Sequence, residues 1–322
     1  MFLHYDHRET GNEPMGFMVE NHHLRRAQYE RLQASDDVRI FAPDRVERLI
    51  RDQSGVSATL RSGAKIWARL VVGADGRGSM VRADAGIATT KWAYDQSGIV
   101  CTVRHERHHN HIAHERFLPA GPFGILPPQG DPPASGNRSS LVWTEHSDLT
   151  QVVMGLNDDQ FMGEVRQRFG DFLGEVDLAG PRYVFPLGLQ FAQRLSDRRM
   201  VLAGDAAHAM HPIAGQGLNM GLRDVAALAE VLVDAERLGQ DVGDPQVIER
   251  YARWRRFDNT LMLAATDGLN RLFSNDLGPV RLARDLGLAA INRLPPVKRL
   301  FMRHAMGLVG NLPRLLRGES LI

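Results

Sequence analysis

Residues 200–224 read MVLAGDAAHAMHPIAGQGLNMGLRD. An apolar run, Met200-Val201-Leu202-Ala203, ends at Gly204-Asp205. Two histidines, a proline and glycines at 215, 217 and 221 follow, with apolar residues recurring at helical spacing (Leu218, Leu222, Val225, Ala229, Leu232). This order predicts a buried strand, a loop and a long helix, with a ligand held at the carboxyl end of the strand and the amino end of the helix. The N–H groups and dipole of such a helix, roughly half a positive charge, attract an electron-rich group. Glycines let a flat ligand approach the backbone closely. Asp205 stands at the same mouth; it repels phosphate but accepts hydrogen bonds from the hydroxyls of a sugar alcohol.

A ligand that joins a polyol to an electron-rich ring meets both demands. Flavin is such a ligand, with its ribityl chain at Asp205 and its pyrimidine edge at the helix start. Outward from this stretch, a second apolar run, Leu70-Val71-Val72, ends in Gly73-Ala74-Asp75-Gly76 and reads as a buried parallel strand. Before it, NHHLRRAQYERLQA predicts a short amphipathic helix, and DDVRIFAP, RVERLIRD, GVSATLRSG and AKIWARLVVGADG predict successive strands. Residues 99 to about 185 are strand-like throughout, and beyond Asp244 the pattern is helical, with RLPPVKR as a break. Two Gly-Asp strands separated by a block of strands predict an α/β nucleotide-binding domain with a mostly antiparallel sheet inserted in it. The expected divisions are 1–88, 89–187, 188–243 and 244–322.

The chain has 322 residues, 43% of them hydrophobic, and a formal net charge of +1, which argues against general nucleic-acid binding. Its one cysteine, Cys101, excludes an internal disulfide framework and fits a reducing cytosol. No run approaches the roughly 18 apolar residues that span a bilayer, and the first residues are not those of a signal peptide. From Arg281 onward there are eight Lys or Arg against two acids, set among apolar residues. Such a tail is either a packed helix pair with a solvated basic face or an amphipathic surface for anionic lipid.

VVGADGRGSMVR (71–82) resembles the Asp-Gly motif of flavin-dependent aromatic hydroxylases, and GDAAHAMHPIAGQGLNMGLRD resembles their second Gly-Asp motif. More narrowly, VENHHLRRA, ERFLPAGPFGILP, YARWRRFDN and LFSNDLGPVRLARDLGLAAINRLPPVKR resemble the ubiquinone-biosynthesis hydroxylases of that superfamily. The resemblance implies a para-hydroxybenzoate-hydroxylase-like fold and FAD as cofactor, with NAD(P)H as reductant. The reaction it implies is ring hydroxylation of a polyprenylated phenol by molecular oxygen through a flavin C4a-hydroperoxide. Asp205, with Gly204, would hold the ribityl chain. Pro212, Gly215, Gln216, Gly217, Leu218 and Asn219 would line the isoalloxazine ring. Asp75 and Gly76 would sit where flavin and nicotinamide meet, and Arg82 would meet a pyrophosphate. The plainer readings are that Asp75 closes a turn and Arg82 forms a surface pair.

The family opens with a Gly-x-Gly-x-x-Gly βαβ unit; this sequence has none, and it begins roughly a hundred residues into the family pattern. The expected fold is therefore an incomplete Rossmann-like FAD-binding domain with a helical C-terminal tail, an exposed sheet edge and weak FAD retention. HERHHNHIAHE contains a literal His-Glu-x-x-His at 105–109, but a strand would hold His105 and His109 about 13 Å apart at roughly 3.3 Å per residue, too far for one zinc. His208 and His211 flank the flavin loop, where each is a candidate for contact with flavin or substrate or for a structural hydrogen bond. Phe117, Leu118, Phe123, Leu126 and Trp143 suit either an apolar substrate channel or ordinary core, and no general base stands out. Against the reading as a hydroxylase of a polyprenylated phenol stand a truncated, non-catalytic subunit that binds prenylated intermediates or other quinone-biosynthesis proteins, a hydroxylase of small soluble phenols, and a zinc hydrolase.

Overall fold

The computed structural model describes residues 3–128, 135–210, 215–273, 287 and 294–322. Helix α1 (Asn21–Gln33) forms where its pattern predicts. Its apolar face is not covered: among these residues only Leu24 is even half-buried. The stretch 36–43, expected as a strand, is none. Val38, Ile40 and Phe41 are exposed, and 42–43 is a turn at Pro43, which has no N–H to give a ladder. Strands β1 (Val46–Arg51), β2 (Val56–Leu60) and β3 (Lys65–Ala68) make an antiparallel meander in that order. Its first turn closes because the Asp52 carboxylate accepts from Ser54 N–H (2.7 Å) and Gly55 N–H (3.0 Å).

Next come β4 (Val71–Gly73), helix α2 (Met80–Asp84) and the long β5 (Thr89–His105). Strands β6 (His114–Leu118), β7 (Gly121–Leu126) and β8 (Arg138–His146) extend an antiparallel sheet from β5 in the order β5-β8-β7-β6. Residues 147–169, expected as strand, are two helices, α3 (Ser147–Gly155) and α4 (Asp158–Phe169). The signals were local. Asn157 and Gln160 form a capping box, and Phe161, Val165 and Phe169 recur every four residues. These three side chains are fully buried against the inward-facing Ile99, Cys101 and Val103 of β5 and against Phe123, Leu141 and Trp143.

Strand β9 (Val176–Leu178) pairs with β5, and β10 (Tyr183–Ala192), β11 (Ser196–Asp197), β12 (Met200–Leu202) and β13 (His208–Ala209) follow. The two apolar runs that end in glycine are neighbours: β12 lies parallel to β4, Met200 opposite Val71 and Leu202 opposite Gly73. Gly73 is required there, since a Cβ would stand 2.9 Å from Leu202 Cδ2 and from Val81 Cβ. In the order β11-β12-β4, β4 is an outer strand, and Val72 on it is exposed.

Helix α5 (Gln216–Arg237) has the length its pattern predicts but a different phase. Leu218, Leu222 and Val225 face outward. Met220, Arg223, Asp224, Ala227, Val231 and Ala235 are buried instead. Helices α6 (Pro245–Phe273) and α7 (Pro295–Ala305) follow. Pro295-Pro296 opens α7, because the first helical positions need no N–H partner.

Residues 307–322 are not the expected helix apart from one 3-10 turn at Arg314–Arg317. There Arg314 pairs with Glu230 and Asp234 of α5, and Trp254 Nε1 donates to the Asn311 carbonyl (3.0 Å). Arg281, Arg284 and Arg293 of the basic tail lie outside the described residues.

The chain divides into two compact units, one of residues 1–38, 93–187 and 269–306, the other of 39–92, 188–268 and 307–322. The expected divisions differ in grouping 1–38 with the first nucleotide-binding segment and in treating 244–322 as one region, of which 269–306 belongs to the first unit and the rest to the second. The first unit has its core between the β5–β8 sheet and α3–α4. The second has one cluster around Met200, Leu202 and Ala206, and another where Val201, Ala227, Val231 and Tyr251 meet.

Candidate functional site

The parallel pairing of β4 and β12 sets their carboxyl ends side by side, so residues 74–78 and 203–207 form adjoining loops in the second unit. Asp75 accepts from Met80 N–H (2.7 Å) and Val81 N–H (3.2 Å), capping α2 together with the Ser79 hydroxyl, which accepts from Arg82 N–H (3.0 Å). The turn-closing role read for Asp75 is thus present.

Arg82 is no surface pair. It is buried, with Nη1 donating to the Ala206 carbonyl (2.7 Å) and Nη2 to the Arg77 carbonyl (2.6 Å), so one guanidinium ties the two loops together. Gln190 Nε2 also holds the Arg77 carbonyl (3.0 Å).

Asp205 sits in a 3-10 turn whose first residue, Gly204, has φ +60°, a conformation that favours glycine. Its carboxylate is 53% exposed and lies 3.7 Å from Arg77 Nε. It is available as an acceptor. Around it the backbone is bare: at Gly76, Gly78, Gly215 and Gly217 a Cβ would meet nothing within 4 Å. Gly215, left-handed at φ +62°, is the N-cap of α5 and offers no side-chain acceptor to the first turn. Gln216 is buried, while Leu218 and Asn219 face outward. Pro212 and His211 lie outside the described residues. An acceptor carboxylate, open glycine surface and a helix amino end together suit a polyol attached to a flat, electron-rich ring better than a bare phosphate.

Behind the turn is a buried polar network that sequence reading missed. Asp224, fully buried on α5, accepts from Gly204 N–H (3.0 Å) and His208 Nε2 (2.6 Å) through one oxygen and from Arg255 Nε (2.8 Å) through the other. Burial alone would raise the Asp224 pKa, but the hydrogen bonds and charges of His208 and Arg255 prevail and hold it below the usual carboxylate value. Tyr251 donates to the Leu202 carbonyl (2.7 Å), and burial pushes its pKa well up. His208 therefore has the structural hydrogen bond considered for it. A signal existed in the sequence: polar residues, Arg223 and Asp224, inside an otherwise apolar helical face.

The proposed substrate residues divide. Phe123 is fully buried against Trp143, ring centroids 6.2 Å apart, and is core rather than channel. Phe117 and Leu126 are half-buried. Around 105–111 the chain leaves the strand at His105, and Asn110 and His111 take left-handed backbone. The His105 and His109 rings are consequently 6.0 Å apart, not the distance an extended strand gives. His105 is engaged with the Arg107 carbonyl (2.6 Å) and the Ser139 hydroxyl (3.0 Å). Among the described residues no group of three or more His, Cys, Asp or Glu is placed to hold a metal.

Comparison with known proteins identifies the family. The model of the FAD binding domain family matches residues 3–263. The ubiquinone hydroxylase UbiL of Rhodospirillum rubrum is 55% identical over 324 residues, covering all of this chain and 74% of that protein. The 3-demethoxyubiquinol 3-hydroxylase of Escherichia coli is 36% identical, covering 94% of this chain and 76% of that protein. Among solved structures, p-nitrophenol 4-monooxygenase PnpA of Pseudomonas putida superposes with a TM-score of 0.74 at 21% identity, over 91% of this chain and 73% of that one, which establishes the para-hydroxybenzoate-hydroxylase-like fold. By sequence and fold, the chain belongs to the FAD-dependent monooxygenases and, within them, to the ubiquinone-biosynthesis hydroxylases.

Proposed function

We propose that this chain takes part in hydroxylating the aromatic ring of a polyprenylated phenol, with FAD held at Asp205 and along the amino end of α5. FAD, reduced by NAD(P)H, supplies the oxygen-activating chemistry of the family. The protein's own part is placement. Asp205 would accept from ribityl hydroxyls, with Gly204 shaping the turn that carries it and Gly76 leaving room beside the backbone. Gly215, Gln216, Gly217, Leu218 and Asn219 would border the ring, where the α5 amino end would favour charge on its pyrimidine edge; Pro212, expected with them from the sequence, lies outside the described residues. Asp75 and Arg82 build the wall opposite by fixing the two loops. No side chain is assigned as a general base.

The observation that carries this reading is the exposed Asp205 carboxylate beside four glycines whose Cα positions face open space. The test is a titration with FAD followed by flavin absorbance and fluorescence. Replacing Asp205 by Ala removes charge-assisted hydrogen bonds of about 1.5–3 kcal/mol each, and weakens FAD binding by roughly tenfold to a hundredfold. The unfolding midpoint does not move, because the side chain is half in water. FAD affinity equal to that of the unsubstituted chain removes the proposal. NAD(P)H oxidation with phenols of increasing prenyl length then separates a prenylated substrate from a small soluble one.

A long-tailed substrate resides in a bilayer, and no helix among the described residues is long and apolar enough to cross one. We place the chain at the cytoplasmic membrane surface, bound through α7. Its Val297, Leu300 and Phe301 are exposed at helical spacing i, i+3, i+4 with Arg299 and Arg303 beside them, and the helix has no carboxylate. Other quinone-biosynthesis proteins are candidate partners there.

A further inference from the structure

We infer that Asp224 is a positioning residue for the cofactor: it locks the Asp205 turn to helix α5 and thereby fixes the two halves of the site relative to each other. The inference rests on the placement of flavin at Asp205.

The side chain of Asp205 is half in water, and among the described residues the 3.7 Å approach of Arg77 is the one ion pair that orients it. Its direction is therefore set by the backbone of residues 204–208. Asp224 holds that segment on both sides of Asp205, through the Gly204 backbone N–H one residue before and the His208 side-chain imidazole three residues after. The same carboxylate stands in the third turn of α5, the helix whose first turn presents Gly217 and Asn219. One rigid group thus joins turn and helix. Close approach is allowed because glycines face each other, a Cβ on Gly221 lying 3.5 Å from Gly204 Cα.

A carboxylate is a poor choice for packing alone. Burying it carries a desolvation penalty that an apolar residue avoids, and a second buried charge, Arg255, is needed to balance it. Arg255 is itself held by Asp258 (2.7 Å) and Asn259 (2.9 Å). Leucine would fill this space; it would not hold the Gly204 N–H or aim the turn.

The test compares FAD dissociation constants, measured on the folded fraction, with hydrogen exchange in the peptide covering residues 203–210. Asp224→Asn keeps the shape but sets an amide against either His208 or Arg255. It raises the FAD dissociation constant about tenfold or more and speeds exchange in 203–210, while the peptide covering α4 stays as in the unsubstituted chain. Removing the buried one of the two carboxylates that pair with Arg255 can prevent folding, so His208→Leu is the second variant. It preserves the Asp224–Arg255 pair and the Gly204 bond, weakens FAD binding by about threefold to tenfold, and is largely rescued by His208→Gln, whose amide N–H reaches the carboxylate. Phe161→Leu in the core of the other unit is the control: it lowers the unfolding midpoint and leaves FAD affinity unchanged, which is the pattern of a merely structural residue. If Asp224→Asn and His208→Leu fold and bind FAD within about twofold of the unsubstituted chain, while Asp205→Ala binds weakly, the inference fails alone. If Asp205→Ala binds normally, or the unsubstituted chain binds no FAD, the underlying placement fails and takes the inference with it.

Discussion

Arg82 illustrates how little a single residue's sequence context says about its work. The Asp-Gly motif marks it as a cofactor contact, yet its guanidinium donates to the carbonyls of Ala206 and Arg77. Ala206 is 124 positions away, a separation that no local pattern reports. Replacing Arg82 by Met takes the side-chain donor from the Ala206 carbonyl, while the Arg77 carbonyl keeps Gln190, so chemical denaturation should show a loss of roughly 1–3 kcal/mol. Arg82→Lys should recover only part of this, because one ammonium cannot span the fork that Nη1 and Nη2 make. A loss below about 0.5 kcal/mol for Arg82→Met would mean that the two bonds are not formed in solution. Asp75 is the contrasting case. Its partners, Met80 N–H and Val81 N–H, are five and six residues on, and the turn was legible.

Helix α5 was legible in existence and length but not in phase. Its apolar positions 218, 222, 225, 229 and 232 form a convincing stripe, yet the buried face carries Arg223, Asp224 and Ala227. Hydrophobic periodicity presumes that only apolar groups seek the interior, whereas here a buried carboxylate is anchored by the Gly204 turn and Arg255. The crossing of α5 over that turn gives a sharp prediction at Gly221. An added Cβ would meet Gly204 Cα at 3.5 Å, an ordinary contact, and alanine is better than glycine inside a helix by about 0.8–1 kcal/mol. Gly221→Ala should therefore be neutral or stabilising in thermal melts. Gly221→Val, whose methyls have no such room, should cost about 1–3 kcal/mol. Equal melting of the two variants would show that the helix does not approach the turn this closely.

At the scale of the molecule, the near-neutral total hides an uneven arrangement of charge. Much of the basic C-terminal surplus is already partnered: Arg314 by Glu230 and Asp234, Lys298 by Glu9 at 2.6 Å, Arg317 by Glu319 at 3.0 Å. What remains exposed on α7 is an apolar stripe flanked by Arg299 and Arg303. The chain should co-sediment with vesicles rich in anionic phospholipid at low salt, less so at high salt, and weakly with zwitterionic vesicles. Leu300→Glu with Phe301→Glu should abolish this without altering the melting temperature, since both side chains are about half exposed. Chain that stays in the supernatant with anionic vesicles would rule the surface out.

Local order in the chain determined the site's elements. Strand, Gly-Asp, glycines and helix appear in one unbroken stretch, and each follows from backbone requirements within a few residues. The capping box of α4 was equally local. Tertiary structure alone decided which elements meet. The β4–β12 pairing, the Arg82 bridge and the Asp224 clamp join residues 16 to 129 positions apart. It also decided that Phe123 is core, and that the histidines of 105–109 fold round a corner rather than run along a strand. Such contacts depend on which surfaces exclude water together, and one-dimensional periodicity carries no record of that choice.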